Sequence, residues 1–148
     1  MGLNFTGNWD FFDNAKHIDT HIREHMGNAL ETAAEIVRAN VVKGIRDQRY
    51  PFAPLAQRTK EYKQMKGLSP LILIAEGDYL ASFTTKKVSW DEVHIGSNHP
   101  QSRALEFGYE PRGLPARPHL GLALAESTHD VMSTLRDAFA TMFTGLIE

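Results

Sequence analysis

Residues 14–48, NAKHIDTHIREHMGNALETAAEIVRANVVKGIRDQ, set the architecture. Ile18, Ile22, Met26, Ala29, Ala33, Ile36, Val37, Val41 and Ile45 recur at helical spacing. At 100° per residue they gather on one face, which predicts one long amphipathic helix. Asp13 stands where a carboxylate caps the free amides of a first turn. Tyr50-Pro51 ends the segment, because proline disfavours the helical conformation in the residue before it. Such a helix is ~50 Å long at 1.5 Å per residue. A compact domain of this size measures only ~40 Å across. The helix therefore either bends at Gly27-Asn28 or Gly44, or packs partly on a neighbouring subunit.

Residues 51–70 follow as a proline- and lysine-bearing connection with a short helix over Leu55 to Met65. Leu71 to Ile74 is an apolar run, closed by the turn signal Glu76-Gly77-Asp78. Phe83 to Trp90 and Glu92 to Ile95 read as paired strands with their turn at Ser89 to Asp91. Ser102 to Phe107 forms one or two helical turns, closed by Gly108, which tolerates a left-handed cap. A last helix begins near Pro118 and carries Leu120, Leu124, Val131, Leu135, Ala138 and Met142 on one face. The expected fold is α+β: a long N-terminal helix and a C-terminal helix packed on a small antiparallel sheet. It forms a single domain over 1–148, with residues 1–12 as a flexible aromatic arm containing Leu3, Phe5, Trp9, Phe11 and Phe12.

Composition removes several classes. With 148 residues, 42% hydrophobic and 23% charged, the chain can build a core and is neither disordered nor fibrous. The absence of cysteine excludes thiol catalysis and thiolate-bound zinc. No apolar run approaches a membrane span, and the first residues lack the basic head and apolar stretch of a secretory signal. The net charge of -2 conceals a pattern: residues 1–37 sum to -4, residues 38–66 to +6, and residues 67–148 to -4. Such blocks either neutralise one another within or between subunits, or present the basic segment 38–66 to phosphates as a nucleic-acid-binding module.

His21-Ile22-Arg23-Glu24-His25 matches H-x-x-E-H, in which two imidazoles four apart can grip zinc beside a carboxylate base. Nothing in the chain singles out a further ligand, and His17, His21 and His25 flank the apolar stripe. They read as histidines at a packed or subunit boundary. No phosphate-cradling glycine loop or nucleophile elbow occurs.

A set of motifs over residues 51–125 is more specific. In order these are Pro51, Leu55 and Lys60, then Ser69-Pro70-Leu71-Ile72, Gly77 and Ser82-Phe83. Ala104-Leu105-Glu106-Phe107-Gly108 follows, and last Leu114-Pro115-Ala116-Arg117-Pro118-His119-Leu120-Gly121 with Ala123-Leu124. The set resembles the virion morphogenesis and tail-completion proteins of tailed bacteriophages, of the Mu G-like and lambdoid tail-component type. Against that pattern the chain has Glu76 in place of threonine, Tyr79 in place of leucine and His119 in place of phenylalanine.

The resemblance implies a non-enzymatic structural protein of a phage or prophage virion, assembled in the host cytoplasm into a homo-oligomeric ring, hexameric or else dodecameric. The ring would sit at the head–tail junction around the DNA channel, against other neck proteins such as a head-closure adaptor, a tail terminator or the tail tube. Genomic DNA would pass through it transiently. No cofactor, metal, catalytic residue, membrane or small-molecule substrate is expected.

Trp9, Phe107, Gly108, Pro115, Arg117 and Pro118 are the candidate subunit or partner contacts. Phe107 is expected to bury its ring while Gly108 turns the chain. Pro115 and Pro118 would hold Arg117 on a stiff extended strut. Its guanidinium would there pair with a carboxylate, either Glu106 of the same chain or one from a neighbouring subunit.

Overall fold

The computed structural model describes residues 10–147, with side chains described for residues 16–144. It is α+β. The elements are α1 (Asp10–Arg46), α2 (Gln57–Met65), α3 (Asp78–Ala81), β1 (Phe83–Lys87), β2 (Val93–Ser97), α4 (Ser102–Phe107) and α5 (Leu120–Ile147), with a 3-10 turn at Glu110–Arg112. α1 is the spine. It packs along α5 and against both strands.

α1 starts earlier than its sequence suggests, so Asp13 lies inside the helix rather than at its cap, and residues 10–12 belong to helix rather than to an arm. The remainder of that segment, with Trp9, lies outside the described residues. α1 runs as one helix through Gly27 and Gly44. Gly44 serves close packing: a Cβ there would run into the ring of the buried Tyr50. The expected stripe is buried only in its C-terminal part. Ala29, Ala33, Val37, Val41 and Ile45 are inside, whereas Ile18 is exposed. Val37, Val41 and Ile45 form the core with Tyr50, Tyr79, Phe83 and Ala123. Each large aliphatic side chain buried there contributes about 1.5–3 kcal/mol.

The first turns of α5, at Leu120, Leu122 and Ala123, meet the C-terminal half of α1 in this core, and Met142 is buried near the other end of α5. The two helices therefore run antiparallel. Their register is pinned by Asn40, whose amide donates to Ser127 Oγ at 2.8 Å, while Ser127 donates to the Ala123 carbonyl at 2.7 Å. Leu124 departs from its expected place on the packed face: it is 53% exposed, and Ala123 and Ser127 hold that face instead. The difference is one helical position, about 100° of rotation.

β1 and β2 form a two-stranded antiparallel sheet with Phe83 opposite Ser97 and Lys87 opposite Val93. The hairpin closes through Val88 N–H to Glu92 O at 2.9 Å, with Ser89 Oγ bonded to Asp91 at 2.6 Å. The sheet leans on α1 through Thr85 to Glu35 at 2.6 Å and Lys87 to Glu31 at 3.0 Å. Thr85 and Arg38 hold the Glu35 carboxyl below its ordinary pKa. Among the described residues no helix is long and apolar enough to cross a membrane.

The apolar run Leu71 to Ile74 becomes a tight loop rather than regular structure, and Leu73 adopts a φ of 62°. Two side chains hold it. Gln48 donates to the Ile72 carbonyl and accepts from its amide, both at 2.9 Å. Lys63 sends its ammonium to the carbonyls of Ser69 at 2.9 Å, Leu71 at 2.6 Å and Ile74 at 2.5 Å. Burial lowers the Lys63 pKa.

Candidate functional site

The motif-bearing segments converge on the junction between α4 and α5. α5 carries no acidic residue in its first turn, so its free amides and the positive end of its dipole need an outside anion. Glu106 on α4 supplies it. One carboxylate oxygen accepts from His119 N–H at 3.0 Å and Leu120 N–H at 3.1 Å, and the other accepts from Gly121 N–H at 3.1 Å.

Gly108 makes this approach possible. It has φ 81° and ψ 169°, a region open essentially to glycine alone, rather than the left-handed cap conformation expected of it. A Cβ there would also lie 2.9 Å from Ala116 N and 3.0 Å from Leu114 O.

Arg117 corrects the expected pairing with Glu106 of the same chain. Among the described residues its guanidinium meets no carboxylate; Nε donates to the Ala53 carbonyl at 2.9 Å and a terminal nitrogen to the Pro54 carbonyl at 3.1 Å. Its own amide donates to Leu105 O at 2.9 Å, and the residue is only 5% exposed. Burial lowers its pKa. Arg117 is thus a cross-brace tying the α4–α5 junction to the segment after α1, and Glu106 is engaged in capping instead. Pro115 is exposed and Pro118 half-buried on this strut. Phe107 also departs from expectation: its ring is 75% exposed, because the last turn of α4 points it outward while Leu105 faces the core.

His119 completes the junction. Its Nδ1 lies 2.6 Å from Arg117 O and 3.0 Å from Glu106 Oε2, so that nitrogen carries the proton. Nε2 then accepts from Tyr79 O–H at 2.7 Å. Both side chains are buried. Tyr79 and Phe83 meet the His119 ring edge-on at 5.6 Å and 5.7 Å. Burial, reinforced by the negative charge of Glu106, pushes the Tyr79 phenol well above its ordinary pKa.

The unfolded phenol ionises near pH ~10. Stability from the neutral Tyr79 is therefore complete below that pH and is lost as pH rises above it. Tyr79→Phe is expected to cost about 1–2 kcal/mol at neutral pH, because His119 Nε2 loses its donor. It should also flatten the alkaline limb of stability measured by denaturant titration.

A cavity of about 730 Å³ opens beside the junction, between Leu55, Ile74, Tyr79, His99, Leu114 and Arg117. Of the polar groups that line it, Arg117, Lys63 and Tyr79 are already bonded within the chain. Elsewhere, the His21 and His25 rings lie 4.2 Å apart, and among the described residues no group of three or more potential ligands gathers around them or anywhere else.

The basic segment is partly neutralised within the chain. Arg38 pairs with Glu35 at 2.7 Å, Arg49 with Glu126 at 2.8 Å, and Lys63 is spent on loop carbonyls. No protein-family model, no curated protein and no solved structure matches this chain.

Proposed function

We propose that this chain is a structural protein of a tailed-phage or prophage virion, forming a ring at the head–tail junction around the DNA channel. One observation carries the reading beyond the motifs themselves. Tyr79 and His119 are two positions at which the chain departs from the tail-completion pattern, and they are hydrogen-bonded partners 2.7 Å apart in the core. Exchanging an apolar leucine–phenylalanine contact for a tyrosine–histidine pair is tolerable only when both change. Either alone would bury a polar group without a partner. On that reading the two departures behave as one compensated substitution. The other motif residues, Glu106, Gly108, Arg117 and Gly121, also support the reading, because they interlock at one junction.

Mutual neutralisation of the charge blocks gains support from the Arg49–Glu126 pair, which joins the basic segment to the acidic C-terminal block. Near-neutrality suits a channel through which DNA must slide. Deleting the coding region from the phage or prophage is expected to give DNA-filled heads and separate tails under the electron microscope, restored by supplying the protein in trans. Joined, infectious particles from the deletion would refute the proposal.

A further inference from the structure

Two buried cations, Lys63 and Arg117, line the cavity beside the α4–α5 junction, and among the described residues neither has a carboxylate partner. Lys63 has no donor to spare. The carbonyls of Ser69, Leu71 and Ile74 take all three N–H groups of its ammonium. Arg117 differs. A guanidinium carries five N–H donors, and only two are spent, one from Nε on Ala53 O and one from a terminal nitrogen on Pro54 O. The other terminal nitrogen has no partner among the described residues. Every buried side-chain nitrogen and oxygen in that set is partnered, so this nitrogen reaches open space. The open space that Arg117 lines is the cavity of about 730 Å³. With the residue only 5% exposed, its unspent donors face the cavity rather than the outer surface. Burial lowers the Arg117 pKa and no carboxylate offsets it, which leaves the site short of an anion.

The rest of the lining narrows the ligand. Leu55, Leu73, Ile74, Leu105 and Leu114 give the cavity apolar walls, and its volume is that of a small-molecule site. Lys63, Arg112 and Arg117 bring three positive charges, whereas Glu76 and Asp78, both exposed, bring two negative ones. The excess of one positive charge matches a ligand with a single negative charge. The two carboxylates also disfavour polyanions such as nucleic acid. We propose that this cavity binds an organic monocarboxylate with a short apolar chain. The carboxylate accepts from the unspent N–H groups of Arg117, whose planar fork suits its two oxygens. The chain lies against the leucine walls, out of water. This site does not depend on the neck assignment, which the deletion phenotype tests separately.

Octanoate is the probe, titrated into the full-length protein and followed through amide chemical shifts by NMR. It should saturate one site with a Kd of roughly 0.1–1 mM, ordinary for a ligand of its size. The amides of Tyr79, Leu105, Leu114 and Arg117 should move. Octanamide has the same shape without the charge and should bind at least about tenfold more weakly. Acetate, inorganic phosphate and a short DNA duplex should leave those amides in place.

Arg117→Met should reduce octanoate to the affinity of octanamide. Thr59 lines the cavity from α2 and takes no part in the Arg117 or Lys63 hydrogen bonds. Thr59→Trp should therefore fold normally and abolish the shifts, and it carries the test if Arg117→Met fails to fold. No saturable binding, equal affinity for octanamide, or unchanged binding by the Thr59→Trp protein overturns the proposal. So do shifts confined to the exposed Met132, Phe139 and Phe143, or phosphate or DNA displacing octanoate from these amides.

Discussion

Gly108→Ala is expected to be the most damaging single-methyl change in the α4–α5 junction, costing ~2–6 kcal/mol. Two independent effects add. Alanine at φ 81°, ψ 169° bears a backbone strain of about 1–3 kcal/mol. Its Cβ would also press on Ala116 N at 2.9 Å and Leu114 O at 3.0 Å, and backbone atoms cannot rotate away. Relief requires pushing the strut outward, which costs about 1–3 kcal/mol more and pulls Arg117 from its carbonyls. Gly113 supplies the comparison: it has φ 60° and ψ 29°, and a Cβ there meets nothing within 4 Å. Gly113→Ala should therefore cost only ~1–2 kcal/mol. Urea titration of both variants checks the difference; a Gly108→Ala protein as stable as wild type would show that the junction is looser than described.

Glu106→Ala is expected to cost ~2–4 kcal/mol and to loosen α5 from its first turn. The substitution removes three charge-assisted hydrogen bonds together with the carboxylate that faces that helix end. The His119 amide is left without a partner in a buried position, where an unmade bond costs most. Glu106→Gln retains acceptor oxygen on one side and should lose roughly half as much. Amide hydrogen exchange gives the specific readout: His119, Leu120 and Gly121 should exchange at least about tenfold faster in Glu106→Ala than in wild type. Uniform acceleration across the chain, with no excess at these amides, would contradict the capping role.

The parts of this fold legible in the sequence were those written in periodicity and turn chemistry. The 3.6-residue recurrence from Ile18 to Ile45 marks α1, and the Ser89–Asp91 turn marks the hairpin. Gly108 marks the end of α4. What stayed hidden depends on backbone carbonyls, which have no side-chain signature. Arg117 finds Ala53 and Pro54 more than sixty residues away. Lys63 sits in a charged helix that reads as solvated, yet three carbonyls surround its ammonium. Once those acceptors are known, Glu106 is free to cap α5. Phe107 misleads for a different reason: an apolar residue in a six-residue helix has no repeat to fix its face, and Leu105 occupies the inner one.

The over-long helix is the feature that would link this fold to the proposed assembly. α1 exceeds the partner helix that covers it, and α5 keeps Met132, Phe139 and Phe143 in solvent. Cryo-electron microscopy of the intact virion tests the assignment most directly. The account predicts a closed ring at the head–tail junction into which the α1–α5 hairpin and the two-stranded sheet fit, repeated around the DNA channel. A neck whose density accommodates no copy of this fold, in particles that are joined and infectious, would contradict it.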